Sequence, residues 1–250
     1  GFSLGLGFAA ARDVYHRLRY DLSQSKTTVS QTTATSSTGE EGKSLLGSSV
    51  AYTFSKDTRD NRFDPTEGYF FELSETASGF GGDVKFLRSK FSAAYYKPLL
   101  FKSVIVGVSG KVGHISGLGD NVTQSKRFYL GGGAVRGFDY SGIGPRDAGS
   151  GDGVGGNTMY SGRVELLSNV GLDNDTGVRW TVFSDFGSLW GTDYPTNVTM
   201  PNAKDVRASL GLGIYWASAI GPLSFSWAKP VSKMDHDRTK IFQFNIGTRL

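Results

Sequence analysis

Three observations predict an all-β fold, an antiparallel transmembrane β-barrel. Apolar residues recur at every second position in run after run, and the connections between runs alternate between tight turns and long loops. The polar positions in between carry Ser, Thr, Gly, Asn and Arg, not the dense Lys and Glu of a sheet face that meets bulk water. A period of two sends alternate side chains to opposite faces of a strand. Here one face is greasy, with Tyr, Trp and Phe near strand ends, and the other suits a hydrated lumen.

Composition agrees. The chain is 38% hydrophobic with a mean hydropathy of −0.25, and no run approaches the roughly 18 to 20 apolar residues of a membrane-spanning helix. A barrel escapes that limit, because alternation makes its average composition resemble that of a soluble protein. The absence of cysteine removes disulfide frameworks and thiolate metal sites. A net charge of +4, spread without blocks, argues against a nucleic-acid surface. The start, GFSLGLGF, lacks the charged and apolar regions of a signal peptide, so an export signal is expected upstream or already removed.

In chain order, Phe2, Leu4, Leu6 and Phe8 form a first strand, and Leu18, Tyr20 and Leu22 a second after a connection at 9–13. Residues 23–43, rich in Ser and Thr, read as a long exposed loop. Val50, Tyr52 and Phe54 follow, then the turn DTRDNRFDPTEG at 57–68, dense in turn formers. A calcium loop is the alternative there, but Arg59 and Arg62 fall where oxygen ligands would stand. Strands are next expected around Tyr69, Phe71 and Leu73, around Phe91 and Tyr95, and around Val104, Val106 and Val108, with a turn at 97–102 between the last two. After a long break come Tyr160 to Leu166, Val178 to Val182, Val206 to Trp216, Leu223 to Trp227 and Phe242 to Ile246, with short turns near 171–177 and 221–222. That makes about eleven strands. With the long loops on one side, the first and last strands run the same way, which a closed single-chain barrel of even strand number does not allow. The chain is therefore expected to be the C-terminal portion of a larger barrel, spanning residues 1–250.

The break at about 113–157 is too long for an idle connection and is expected to be functional. At its centre lies KRFYLGGGAVRGFDY, residues 126–140. Gly131, Gly132 and Gly133 let the backbone approach other groups, and Arg136 follows between Val135 and Gly137-Phe138. Arg136 is either a solvated charge or the partner of a carboxylate. Alternation places Glu165 and Asp185 on lumen-facing positions, where they would accept charge-assisted bonds.

VRGFDY in the long loop, RDNRFDPTEGYFFE in the turn, VFSDFGSLW and the ending FQFNIGTRL occur in an order that resembles the BamA family of outer-membrane-protein assembly factors, of alphaproteobacterial type. The resemblance covers essentially the whole chain. It implies a sixteen-stranded barrel preceded by periplasmic POTRA domains, with this sequence beginning near the sixth strand. It also implies that the long loop folds into the lumen and that Arg136 latches onto Glu165 and Asp185. The first and last strands would form a weak seam that opens laterally and templates client strands. Clients would be unfolded outer-membrane barrels, with accessory lipoproteins of the BAM complex and outer-membrane lipid as further partners. The seam strand is Phe242, Phe244, Gly247 and Leu250. Gly247 would weaken or kink it, or simply permit a bend. Leu250 departs from the aromatic ending of many outer-membrane barrels.

No catalytic motif appears. There is no G-x-S-x-G elbow, Walker A loop or H-E-x-x-H, and His16, His114 and His236 are dispersed. Glu72 and Glu75 would point to opposite faces of one strand. No metal, cofactor or enzymatic activity is expected. A dedicated protein-secretion transporter, a passive pore and a lipid hydrolase of the membrane rim are the rival readings.

Overall fold

The computed structural model describes residues 1–26, 44–99, 103–169, 177–193, 198–199, 202–218 and 221–246. Eleven strands form one sheet: β1 (Phe2–Ala11), β2 (Val14–Lys26), β3 (Ser44–Asp57), β4 (Gly68–Ser78), β5 (Phe86–Leu99), β6 (Val104–Gly117), β9 (Thr158–Ser168), β10 (Val178–Trp190), β12 (Arg207–Ser218), β13 (Gly221–Ser232) and β15 (Phe242–Ile246). Four short strands, β7 (Gly137–Phe138), β8 (Arg146–Asp147), β11 (Val198–Thr199) and β14 (Thr239–Lys240), lie in the long connections. Every neighbouring pair in the large sheet is antiparallel and follows chain order. No ladder joins β1 to β15 among the described residues. With eleven strands, those two run in the same direction.

The alternation sorts inside from outside as the hydrophobic pattern requires. On β12, Leu210, Leu212, Ile214 and Trp216 are exposed on the outer face, while Arg207, Ser209 and Tyr215, at positions of the opposite parity, are buried. Register continues this across the wall: Leu73, Phe91, Val112 and Tyr160 are successive cross-strand partners on the outer face. Exposed apolar side chains in such continuous bands mark a lipid-facing surface. No helix is long and apolar enough to cross a membrane.

Several boundaries differ from the sequence reading. The first hairpin closes through Arg12-Asp13 alone, since β1 runs on to Ala11 and Asp13 takes a positive φ of 63°. β5 continues through Pro98 to Leu99, a strand end where a missing N–H is tolerated. β6 extends to Gly117, so the long segment runs from 118 to 157. Most of the polar 23–43 loop, the tip of the 97–102 turn, most of the 171–177 turn, Gly247 and Leu250 lie outside the described residues.

The lumen is not hydrated throughout. At the long-loop end it is filled by an apolar cluster in which Val122, Phe128, Leu130, Val135, Phe138 and Ile143 of the long segment pack on Phe86, Ile115 and Leu189 of the wall. Period-two reading assigns the wall's faces but cannot see a loop that supplies its own core. The opposite mouth is crossed by the β3–β4 turn. Its Asp57 and Arg59 pair at 2.8 Å, its Asp60 accepts from Thr66 and Glu67, and it reaches the far wall through Asp64–Arg179 at 2.9 Å and the Tyr215 hydroxyl, which donates to Phe63 O.

Candidate functional site

The geometry around Arg136 begins with backbone freedom. Gly131 and Gly137 take φ values of 127° and 90°, a region that L side chains rarely enter, and a Cβ on Gly131 would run into Asp139 O. These turns fold the segment back so that Val135 and Phe138, both fully buried, enter the apolar cluster. Arg136 between them is thereby turned toward β9 and β10. Gly132 completes the turn by donating to Phe138 O, and Gly133 O accepts from Arg163 Nη2.

Asp185, on the inner face of β10 and 0% exposed, is the centre. Arg136 donates to it from Nε at 2.7 Å, from Nη2 at 2.8 Å and from its own backbone N–H at 3.0 Å. The side-chain pair is bidentate, the strongest geometry for guanidinium on carboxylate. Arg163 of β9 grips the same carboxylate from the other side, with Nε at 2.9 Å from Oδ1. Glu165, also buried, stands 3.7 Å from Arg136 Nη2. The Arg136 guanidinium lies 3.2 Å from the centroid of the Phe183 ring, a cation–π contact on the inner face of β10. Two cations and two anions so balance, and burial of one offsets burial of the other. A lone charge at this depth would be costly.

The structure therefore brings Arg136, Asp185 and Glu165 together, with Asp185 the tight partner and Glu165 the longer one. It also adds Arg163. That residue shares lumen parity with Glu165, a signal present in the sequence, but a resemblance that supplies only one cation passes over it.

The Omp85 superfamily domain matches the chain over residues 1–250. The chain belongs to the Omp85 superfamily. It is 31% identical over 242 residues to the outer membrane protein assembly factor BamA of Neorickettsia risticii, covering 96% of this chain and 32% of that protein. It is 29% identical to the sorting and assembly machinery component 50 homolog of Homo sapiens, over 87% of this chain and 48% of that one. The crystal structure of BamA from Haemophilus ducreyi lacking POTRA domains 1–3 superposes with a TM-score of 0.82 at 27% identity, covering 97% of this chain and 52% of that one. The chain thus spans between a third and about half of these relatives' length.

Further buried arginines of this Omp85 chain escaped the sequence reading. Arg127 donates to Val122 O and the Thr192 hydroxyl, and Arg146 to the carbonyls of Ser141, Gly142 and Gly151. Arg207 of β12 pairs with Asp237 of the β13–β14 connection at 3.1 Å, both side chains fully buried. These bonds stitch aperiodic segments whose partners no spacing rule reveals. Phe242 and Phe244, expected in a seam strand, face outward with Ile246, and Gln243 between them is buried.

Proposed function

We propose that this chain is the barrel portion of an outer-membrane insertase of the BamA type, which assembles β-barrel proteins into the bacterial outer membrane. The observation that carries the reading is the loop clasped inside the wall at Arg136 and Asp185, within an antiparallel sheet that turns a continuous apolar band outward. Its relatives named as assembly factors support it. The activity needs no catalytic residue: an exposed strand edge presents backbone donors and acceptors on which a client strand can pair. Unfolded outer-membrane barrels are the proposed clients, with accessory lipoproteins and outer-membrane lipid as partners and POTRA domains preceding this portion. Arg136, Glu165 and Asp185 form the latch that keeps the loop seated, and Gly131 to Gly133 permit its approach.

The test is replacement of the native copy by the intact protein carrying Arg136→Ala or Arg136→Lys. The expected result is a fall in unrelated outer-membrane barrels under Arg136→Ala at equal folded level of the mutant barrel, with Arg136→Lys intermediate. Unchanged client levels with altered ion flux, or loss of a single exported partner, would replace this reading with a pore or a dedicated secretion channel.

A further inference from the structure

The segment that follows Arg136 does not end its contacts on the wall. Gly137 and Phe138 form a two-stranded ladder with Lys240 and Thr239, immediately before the last strand of the sheet. The adjoining Asp139 N–H donates to Arg238 O at 2.9 Å, and Arg238 N–H donates to Gly142 O at 3.0 Å. Beyond the ladder, Gln243 of β15 turns its side chain inward and donates from Nε2 to Phe138 O at 2.6 Å. Gln243 is buried and its Oε1 has no partner, so its hold on this part of the chain rests on the donated bond.

Among the described residues of the last strand, Gln243 is the buried one. Its ladder to β13 runs from Leu223↔Ile246 to Trp227↔Phe242 within the described residues. Asn245, Ser224 and Ser226 line a cavity of about 210 Å³ together with Gly133, Ala134 and Lys111. The described part of β15 therefore meets this cavity and the lumen loop.

We propose that the lumen loop is a clasp on the last strand, and that Gln243 is the positioning residue which transmits the seating of Arg136 to that strand. A single covalent stretch, Arg136-Gly137-Phe138, binds Asp185 at one end and Gln243 at the other. Release of the last strand for pairing with a client then requires the 137–142 and 238–243 segments to part. This rests on the insertase reading, and it adds a gating contact distinct from the latch.

The test uses the intact protein reconstituted in lipid vesicles with an unfolded barrel client. Asp139→Cys with Arg238→Cys places a disulfide across the hydrogen-bonded position next to the small ladder, in a 250-residue stretch that itself holds no cysteine. The oxidised protein is expected to assemble client several-fold more slowly than the unlocked protein, with full recovery in reductant. In parallel, Gln243→Leu is expected to raise amide exchange in segments 137–142 and 238–243 about fivefold, the scale that one net hydrogen bond supports. Gln243→Glu, which cannot donate when ionised, is expected to do at least as much. A verified disulfide that leaves the assembly rate unchanged overturns the clasp, as does unchanged exchange in Gln243→Leu. If Gln243→Leu fails to fold, the lock decides alone, because it retains Gln243. If the unlocked protein assembles no client, the insertase reading falls instead, and the exchange measurement still judges the clasp.

Discussion

The wall at β5 and β6 and the wall at β15 are built from the same alternating pattern but are held differently. β5 and β6 pair along their whole fourteen-residue lengths, from Phe86↔Gly117 to Leu99↔Val104, with apolar partners on the outer face. β15, described over Phe242–Ile246, rests its inner side on the lumen loop through Phe138 and Gln243. A ladder along a full strand multiplies small cross-strand contributions. A strand that is also clasped by a loop carries a second set of bonds, which can part without dismantling the rest of the wall.

The largest expected way to break that contrast is Arg136→Ala. It leaves Asp185 buried against Arg163 and unseats the loop that supports β15, costing about 3–5 kcal/mol of local stability, the scale for a broken buried pair. Protease protection of residues 118–157 should fall while the β5–β6 ladder stays protected against amide exchange.

The outer wall offers the complementary test. Leu212→Arg places a charge on the lipid face, with an expected cost of about 2–4 kcal/mol near the bilayer midplane, read from denaturant-induced unfolding in vesicles. This variant should lower the stability of the wall without selectively exposing the loop.

A smaller effect tests loop seating without touching charge. A Cβ on Gly187 would come within 2.6 Å of Tyr160 O and 3.2 Å of a Val135 methyl. Gly187→Val should therefore cost about 1–3 kcal/mol by overpacking and raise protease sensitivity of the loop.

The smallest effect concerns the turn across the opposite mouth. Burial opposes ionisation of Asp60, but hydrogen bonds from the Thr66 hydroxyl and from the N–H groups of Thr66, Glu67 and Asn61 outweigh it and hold the carboxyl below the usual Asp range. A depressed carboxyl stabilises the fold above its unfolded-state value, and that contribution is lost as pH falls through the folded-state value. Protection of the amides in residues 58–67, measured relative to their intrinsic exchange rates at each pH, should be high at neutral pH and fall in acid below the ordinary Asp range, and Asp60→Asn should flatten the response.

The extent to which the site was legible follows from the range of each interaction. Asp185 and Glu165 are singled out by the family resemblance that the motifs carry, and strand parity, which puts both in the lumen, agrees with it. Arg163 carried the same parity signal and was passed over. Arg127, Arg146 and the Arg207–Asp237 pair had no signal, since their partners are backbone carbonyls or residues in aperiodic connections. The lumen was read as water-filled because alternation describes only the wall, while Phe128, Leu130 and Phe138 supply apolar packing from a segment without period.

By itself the sequence determined the strand wall, its inward and outward faces, the order of long and short connections and the type of cation at the centre. All of these follow from local chemistry: a period of two, turn residues, and one Arg flanked by glycines. Only the tertiary structure decided that Asp185 holds two arginines, that the loop brings its own apolar core, and that Phe138 meets Gln243 across 105 residues. Those contacts join positions far apart in the chain, and loop closure over such distances leaves no periodic trace in the residues that close it.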